Sequence, residues 1–189
     1  MYDAAIKLFF EKGYDEVTID DICAAVGVTK GAFYSHFKSK FDVVVEMVLI
    51  LDEYYRTELL PQVAELDSGL EKILTFVRLL IGHMKKLGKD AIRTVYYLQI
   101  GSTEITGIMT DRRVLYKIIQ QLVVEAQDSG DLRDDLSSNE LTGIIMYNVR
   151  GILYSWGLST SKFDIEDAVQ GLVKVLATGL EKQKVPRKP

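Results

Sequence analysis

The chain has 189 residues, of which 48% are hydrophobic and 26% charged, a composition typical of a globular protein with a substantial core. Its single cysteine, Cys23, excludes an internal disulfide and a thiolate metal cluster, so we expect neither a metal nor a cofactor. No segment has the length and apolarity of a membrane span or the pattern of a secretory signal, which predicts a cytoplasmic protein without membrane contact.

The first part of the chain predicts three short helices separated by tight turns. The first helix is indicated by apolar residues at helical spacing. Gly13 is expected to adopt the left-handed conformation and so to end this helix. Thr18 and Asp21 have the spacing of a capping box and begin the second helix. Gly27 interrupts that helix, and Thr29 caps the third. Such an arrangement is typical of a helix-turn-helix.

The remainder predicts longer amphipathic helices. One, from Ser39 to about Arg56, connects the two parts, and Pro61 is expected in the loop after it. Further helices are predicted near residues 70–84 (behind a Ser68–Glu71 capping pair), 91–101, 114–126, 141–156 and 165–180, with a loop or poorly formed stretch at 101–111. The predicted fold class is therefore all-α, with a helix-turn-helix domain over residues 1–45 and a helical-bundle domain over residues 46–189.

Positive charge is concentrated around the third predicted helix, although the net charge of the chain is −4. An acidic protein gains no general attraction to polyphosphate, so a nucleic-acid site has to be locally basic. Residues 27–41 contain no Asp or Glu and carry Lys30, His36, Lys38 and Lys40. This segment is the best candidate for contact with DNA.

An almost unbroken motif runs from residue 4 to about residue 47. It includes Gly13-Tyr14, Thr18-Ile19-Asp20-Asp21-Ile22, Val26-Gly27-Val28-Thr29-Lys30-Gly31 and Phe33-Tyr34-Ser35-His36-Phe37-Lys38-Ser39-Lys40. This motif resembles that of the TetR family of transcriptional regulators. The resemblance implies that the third helix enters the major groove of double-stranded DNA.

The resemblance also implies individual roles in DNA binding. Thr29, Lys30, Gly31 and Ala32 would open the recognition helix, with Lys30 and Ala32 near base edges. Phosphates would be reached by Thr18, Tyr34, His36 and Lys40. Hydroxyls, amines and helix N-termini are the usual donors to phosphate, so the chemistry fits. Phe33, Phe37 and Cys23 are expected to be core residues instead.

The C-terminal part is expected to form a homodimer through its last two long helices. One recognition helix contacts few bases, whereas a two-fold dimer reads two half-sites. The small residues Gly143, Gly151, Gly171 and Ala177 would let helix backbones approach each other closely. The same apolar surface could instead pack within one subunit.

The middle helices supply candidate residues for an effector pocket. A mostly apolar cavity with a few polar groups is what a small-molecule site needs. The candidates are Phe76, Arg93, Tyr96, Tyr97, Gln99, Met109, Tyr116, Tyr147 and Arg150. The competing interpretation is that most of them are core residues, and His83 is expected to be an ordinary, partly buried histidine.

These features predict a ligand-responsive transcriptional regulator, a repressor that binds a palindromic operator as a dimer and is released by a small hydrophobic or amphipathic effector. The alternative is a helical small-molecule-binding protein with a degenerate DNA-binding domain, a reading that the acidic composition favours. A helical enzyme is a third possibility, but the two histidines and one cysteine suggest no nucleophile–base pair. We therefore do not expect an enzyme.

Overall fold

The computed structural model describes residues 1–101, 113–160 and 163–181. Within these ranges it has α1 (Tyr2–Lys12), α2 (Ile19–Val26), α3 (Lys30–His36), α4 (Lys40–Tyr54), a π-helical turn (Tyr55–Leu59), α5 (Pro61–Ala64), α6 (Gly69–Leu87), α7 (Lys89–Gly101), α8 (Val114–Asp128), α9 (Ser138–Leu158) and α10 (Ile165–Leu180). The β pairing in the described ranges is confined to an isolated bridge between Leu132 and Glu181. The all-α prediction is confirmed.

Side-chain caps fix where several helices begin. Within the described ranges, three reciprocal capping boxes form: Thr18 with Asp21, Ser39 with Asp42, and Ser137 with Glu140. Ser68 caps α6 through its hydroxyl, and Asp164 caps α10 through its carboxylate. Each cap satisfies backbone N–H groups that the first helical turn leaves without partners.

Two local predictions are wrong. Gly13 has φ 89° and ψ 147°, a positive φ but not the left-handed helical conformation. Pro61 lies in a helix instead of a loop: the chain passes from α4 through the π-helical turn, where the Leu60 N–H donates to the Tyr55 carbonyl at 2.9 Å, directly into α5. Proline is tolerated there because the first turn of a helix does not need its N–H.

Two hydrophobic cores form, and α4 and α7 each contribute side chains to both of them. The smaller core contains Phe9, Phe33, Phe37 and Cys23, all buried as predicted for the last three. It also receives Leu98 from α7. The larger core is built from α6, α8, α9 and α10. The boundary expected at residues 45–46 falls inside α4, so this helix rigidly connects the N-terminal helices to the bundle.

The α7 helix is a second connection between the two parts. The Thr94 hydroxyl donates to the Phe9 carbonyl of α1 at 3.4 Å. Tyr96, next but one along the same helix, instead packs against the larger core. Any movement of α1 therefore has to be accommodated by α7 as well as by α4.

Candidate functional site

The exposed face of α3 carries most of the residues expected to contact DNA. Thr29 caps the helix, its hydroxyl accepting from the Ala32 N–H at 3.2 Å. Lys30, Gly31 and His36 are exposed, and Tyr34 has 54% of its surface accessible. Phe33 is buried in the core. The helix is thus held from inside and presents polar side chains outside.

A shallow groove brings together three of the residues expected at phosphates: Thr18, Tyr34 and Lys40. Lys38 and Ser39 line it too. The N-termini of α2 and α4, capped by Thr18 and Ser39, therefore both lie at this groove. Helix N-termini carry partial positive charge, so these helix ends and the two lysines favour an anion such as a backbone phosphate, whereas Asp15, which also lines the groove, opposes it.

The Thr18–Asp21 capping box that begins α2 changes the pKa of its acidic member. Asp21 accepts from both the hydroxyl and the N–H of Thr18, at 2.6 and 2.8 Å. These hydrogen bonds lower the pKa of the Asp21 carboxyl. The stabilisation that ionised Asp21 gives to the start of α2 is therefore fully present above the ordinary pKa of an aspartate. It is lost as the pH falls through the lowered pKa.

Lys30 is paired with an acid in the free protein. Its ammonium lies 2.9 Å from the carboxylate of Asp20, and both side chains are largely exposed. The hydrogen bond from Lys30 to Asp20 raises the pKa of the lysine. An exposed pair of this kind contributes little to stability, so Lys30 can exchange Asp20 for a DNA group at low cost.

Lys40 has a structural role that the sequence did not reveal. Its ammonium donates to the carbonyls of Tyr14 and Val17, at 2.8 and 2.7 Å, and lies 4.5 Å from the centre of the Tyr14 ring. These contacts hold the connection between α1 and α2 against α4. Because an ammonium has three donors, one remains for the groove.

Replacing Lys40 by methionine is expected to lower the free energy of unfolding by about 2 kcal/mol. Hydrogen bonds from a charged donor contribute about 1.5–3 kcal/mol each, and partial burial reduces the sum. Urea denaturation followed by circular dichroism measures the change. Lys38→Met is the control, because Lys38 is exposed. Equal unfolding midpoints for the two variants would contradict the structural role.

A partly open cavity of about 80 Å³ lies between the two parts of the protein. Its wall is mainly apolar and includes Phe10 of α1 together with Met47, Val48 and Leu51 of α4. Its polar lining residues are Tyr55, Tyr96, Gln99, Arg113, Tyr116 and Arg150. The cavity therefore shares a wall with the N-terminal helices.

The structure brings four of the candidate effector residues to this cavity: Tyr96, Gln99, Tyr116 and Arg150. The Tyr96 hydroxyl donates to the backbone carbonyl of Arg150 at 3.0 Å. Burial raises the pKa of Tyr96 to about 12, so this phenol is a neutral hydrogen-bonding group at physiological pH.

Four other candidates lie elsewhere, and Met109 falls outside the described residues. Phe76 is fully buried in the larger core without lining the cavity. Arg93 donates to the Gly157 carbonyl at 2.7 Å and pairs with Asp90. Tyr97 is exposed, and its hydroxyl donates a hydrogen bond to the Asp15 carboxylate. Tyr147 is 70% exposed. Helical spacing could not separate these positions because α7 and α9 have polar aromatic residues on more than one face.

A buried ion pair beside the cavity was not anticipated. The Arg113 guanidinium contacts the Asp52 carboxylate at 2.6 Å, and both side chains are almost inaccessible. Burial raises the pKa of the neighbouring Tyr55 hydroxyl, and the positive charge of Arg113 acts in the opposite direction with a smaller effect. The pair joins the last turn of α4 to the start of α8. Its members are 61 positions apart, and no periodic pattern in the sequence connects them.

The last two long helices present an outward apolar stripe that the single chain leaves uncovered. On α9 it comprises Ile144, Tyr147, Gly151, Tyr154 and Leu158, all accessible and spaced alternately three and four residues apart. On α10, Gly171 and Val175 are exposed. A Cβ added at Gly151 or Gly171 would meet nothing within 4 Å. This spacing is that of a helix–helix packing seam.

Two of the small residues expected at that seam lie differently. A Cβ at Gly143 would meet the ring of Tyr147 at 3.6 Å, so this glycine accommodates a side chain of its own helix. Ala177 packs against the larger core. Gly151 and Gly171 remain as the open positions.

His83 is half-buried, as expected for an ordinary structural histidine. Its ring stacks on that of Tyr54, with centroids 4.0 Å apart. Burial lowers its pKa. In the described part of the chain, no group of three metal-ligating side chains occurs. Within the same ranges, no helix combines the length and apolarity needed to cross a bilayer.

Comparison with known proteins identifies the family. The model for "Bacterial regulatory proteins, tetR family" matches residues 1–47. The TetC protein of transposon Tn10 from Escherichia coli is 31% identical over 159 residues, which cover 78% of this chain and 75% of that protein.

Two solved structures share the fold over nearly the full length. Thermus thermophilus FadR, a TetR-family transcriptional repressor in complex with lauroyl-CoA, superposes with a TM-score of 0.75 at 20% identity, covering 100% of this chain and 97% of that one. A Saccharomonospora viridis protein in complex with choline also has a TM-score of 0.75, at 17% identity and 96% coverage of both chains. The chain therefore belongs to the tetR family of bacterial regulatory proteins and is an all-helical transcriptional regulator with an N-terminal helix-turn-helix.

Proposed function

We propose that this regulator is a repressor that binds a palindromic operator as a homodimer and is released when a small amphipathic effector enters the cavity. The observation that carries the proposal is the exposed, acid-free face of α3 next to a groove at two helix N-termini. Family membership does not favour the alternative of a degenerate DNA-binding domain. We further propose that the protein acts in the cytoplasm and catalyses no reaction.

The recognition helix would contact DNA through its exposed residues, and Gly31 among them is not required by the packing of the free protein. Glycine in an exposed helix costs about 1 kcal/mol relative to alanine. At Gly31 the chain's own packing does not require it, since an added Cβ would lie 3.7 Å from the Thr29 hydroxyl, an ordinary contact. Close approach of DNA explains the glycine. Lys30 and Ala32 then lie toward base edges, with Thr18, Tyr34, His36 and Lys40 toward phosphates, and Thr29 opens the helix.

A second copy of the chain would cover the outward stripe on α9 and α10. Large exposed apolar patches are uncommon on monomers and mark interaction sites. The stripe is continuous over four turns of α9, and its two open glycines leave room for a partner's backbone. A two-fold dimer would place its recognition helices on half-sites about 34–36 Å apart, or a multiple of this distance.

The cavity would couple effector binding to the DNA-binding helices. At about 80 Å³ it is smaller than the roughly 300–1,000 Å³ typical of drug-sized ligand sites, so an effector has to widen it. Its wall includes Phe10 and Met47, which also pack in the N-terminal core. Widening the cavity therefore displaces α1 or α4, and a ligand that favours the displaced state lowers operator affinity.

Selection of bound fragments from a random duplex-DNA pool tests this function. We expect the wild-type chain to enrich a palindromic site. A Lys30→Ala plus Tyr34→Ala variant should lose the enrichment and stay folded, because both side chains are exposed. Lys40 is left unchanged since its replacement would also affect stability. Enrichment by both proteins, or by neither, would count against the assigned face of α3.

A further inference from the structure

The cavity has a charge asymmetry. Two arginines, Arg113 and Arg150, line it, while no Asp or Glu is among the described lining residues. In a small and mostly apolar cavity, charges are weakly screened, so this imbalance affects which ligand can enter. The tyrosine hydroxyls and Gln99 add neutral polar groups only.

The two arginines differ in how their charge is balanced. Arg113 is neutralised by Asp52 behind the cavity wall, at 2.6 Å. Arg150 is half-buried, and in the described part of the chain its guanidinium has no carboxylate within ion-pair distance. Tyr96 is held beside Arg150 by its hydrogen bond to the Arg150 carbonyl. Among the described residues, these groups therefore leave the charge of Arg150 without a carboxylate partner at the wall.

The rest of the wall is apolar and adaptable. Three methionines, Met47, Met84 and Met146, line the cavity from α4, α6 and α9. Methionine has three rotatable bonds and a polarisable thioether, so it rearranges around ligands of different shape. The wall therefore suits a flexible apolar body of a ligand that is larger than the empty cavity.

We propose that the effector is a small amphipathic carboxylate, whose carboxylate group pairs with Arg150 and whose apolar body lies among Met47, Met84 and Met146. This rests on the function proposed above and names its ligand class. A guanidinium pairs with a planar carboxylate through two parallel hydrogen bonds. One uncompensated charge matches a monoanion, whereas a dianionic phosphate would bring a second charge without a partner.

The fold by itself does not determine the charge of the ligand. The two similar structures contain lauroyl-CoA and choline, an anion and a cation. The charge preference of this chain therefore has to come from its own lining residues. A cationic ligand would meet Arg150, and the described lining residues offer it no carboxylate to pair with.

Calorimetric titration of the full-length protein with three ligands of one chain length tests the proposal: octanoate, octanamide and octylammonium, each well below micellar concentration. We expect octanoate to bind at least about tenfold more tightly than octanamide, and octylammonium to bind most weakly. Arg150→Gln should abolish the preference for octanoate while leaving octanamide affinity unchanged. Arg78→Gln, at an exposed arginine outside the cavity, is the matched control and should retain the preference.

The other outcomes would overturn the proposal. These are equal affinity for the acid and the amide, tighter binding of the amine, no binding of any of the three, or a preference that survives in Arg150→Gln. None of these results depends on DNA. If octanoate binds as expected but leaves operator affinity unchanged, the ligand class stands and the release mechanism fails.

Discussion

Replacing Phe33 by alanine is expected to destabilise the N-terminal core by about 3–5 kcal/mol and to abolish operator binding as a consequence. The Phe33 ring is fully buried and packs against Phe37, with ring centroids 5.6 Å apart. Truncation leaves a cavity beneath α3, which has only seven residues and little stability of its own. Hydrogen exchange of the α1–α3 amides, with urea denaturation, measures the loss.

Tyr34→Ala is the matched control for Phe33→Ala, because the two aromatic residues are neighbours on one helix and differ in burial, although their rings meet edge to face at 5.6 Å. Tyr34 is 54% exposed, so its removal should change the free energy of unfolding by less than about 0.5 kcal/mol while weakening operator binding. The two substitutions thus separate stability from DNA contact. Wild-type protection of α3 in Phe33→Ala would show that this core does not hold the recognition helix.

The N-terminal helices were predictable because their signals are local. Thr18 and Asp21 are three residues apart, and the box that they form is complete in the structure. Phe33 and Phe37 have the spacing of one helix face and are both buried. Gly13 shows the limit of such signals: a glycine permits positive φ, but the conformation adopted depends on where the following chain packs.

The cavity was only partly predictable because it depends on contacts between distant segments. The choice of aromatic and polar residues on the middle helices identified Tyr96, Tyr116 and Arg150, which line the cavity. The same choice also selected Phe76, which is a core residue, and Tyr147, which is exposed. The Asp52–Arg113 pair and the carbonyl contacts of Lys40 have no sequence signature, since their partners are brought together only by tertiary packing.

Gly69→Ala is expected to destabilise the helical bundle by about 3 kcal/mol, the upper part of the range for overpacked sites. A Cβ at this position would lie 2.5 Å from the Cβ and 2.8 Å from the Cα of Ala126 on α8. Ala126 is fully buried, so the two helices have to separate. Movement of α6 would also strain the 2.7 Å hydrogen bond from the Gly69 N–H to Asp131.

Gly82→Ala provides the control within the same helix. A Cβ there would meet nothing within 4 Å, and alanine is the better helix former, so this variant should be more stable than wild type by about 0.4–1 kcal/mol. Urea denaturation of the two variants should therefore give midpoint shifts of opposite sign. If Gly69→Ala were also neutral or stabilising, α6 and α8 could not pack as closely as the structure has them, and the position of the cavity wall that α8 contributes through Leu115 and Tyr116 would need revision.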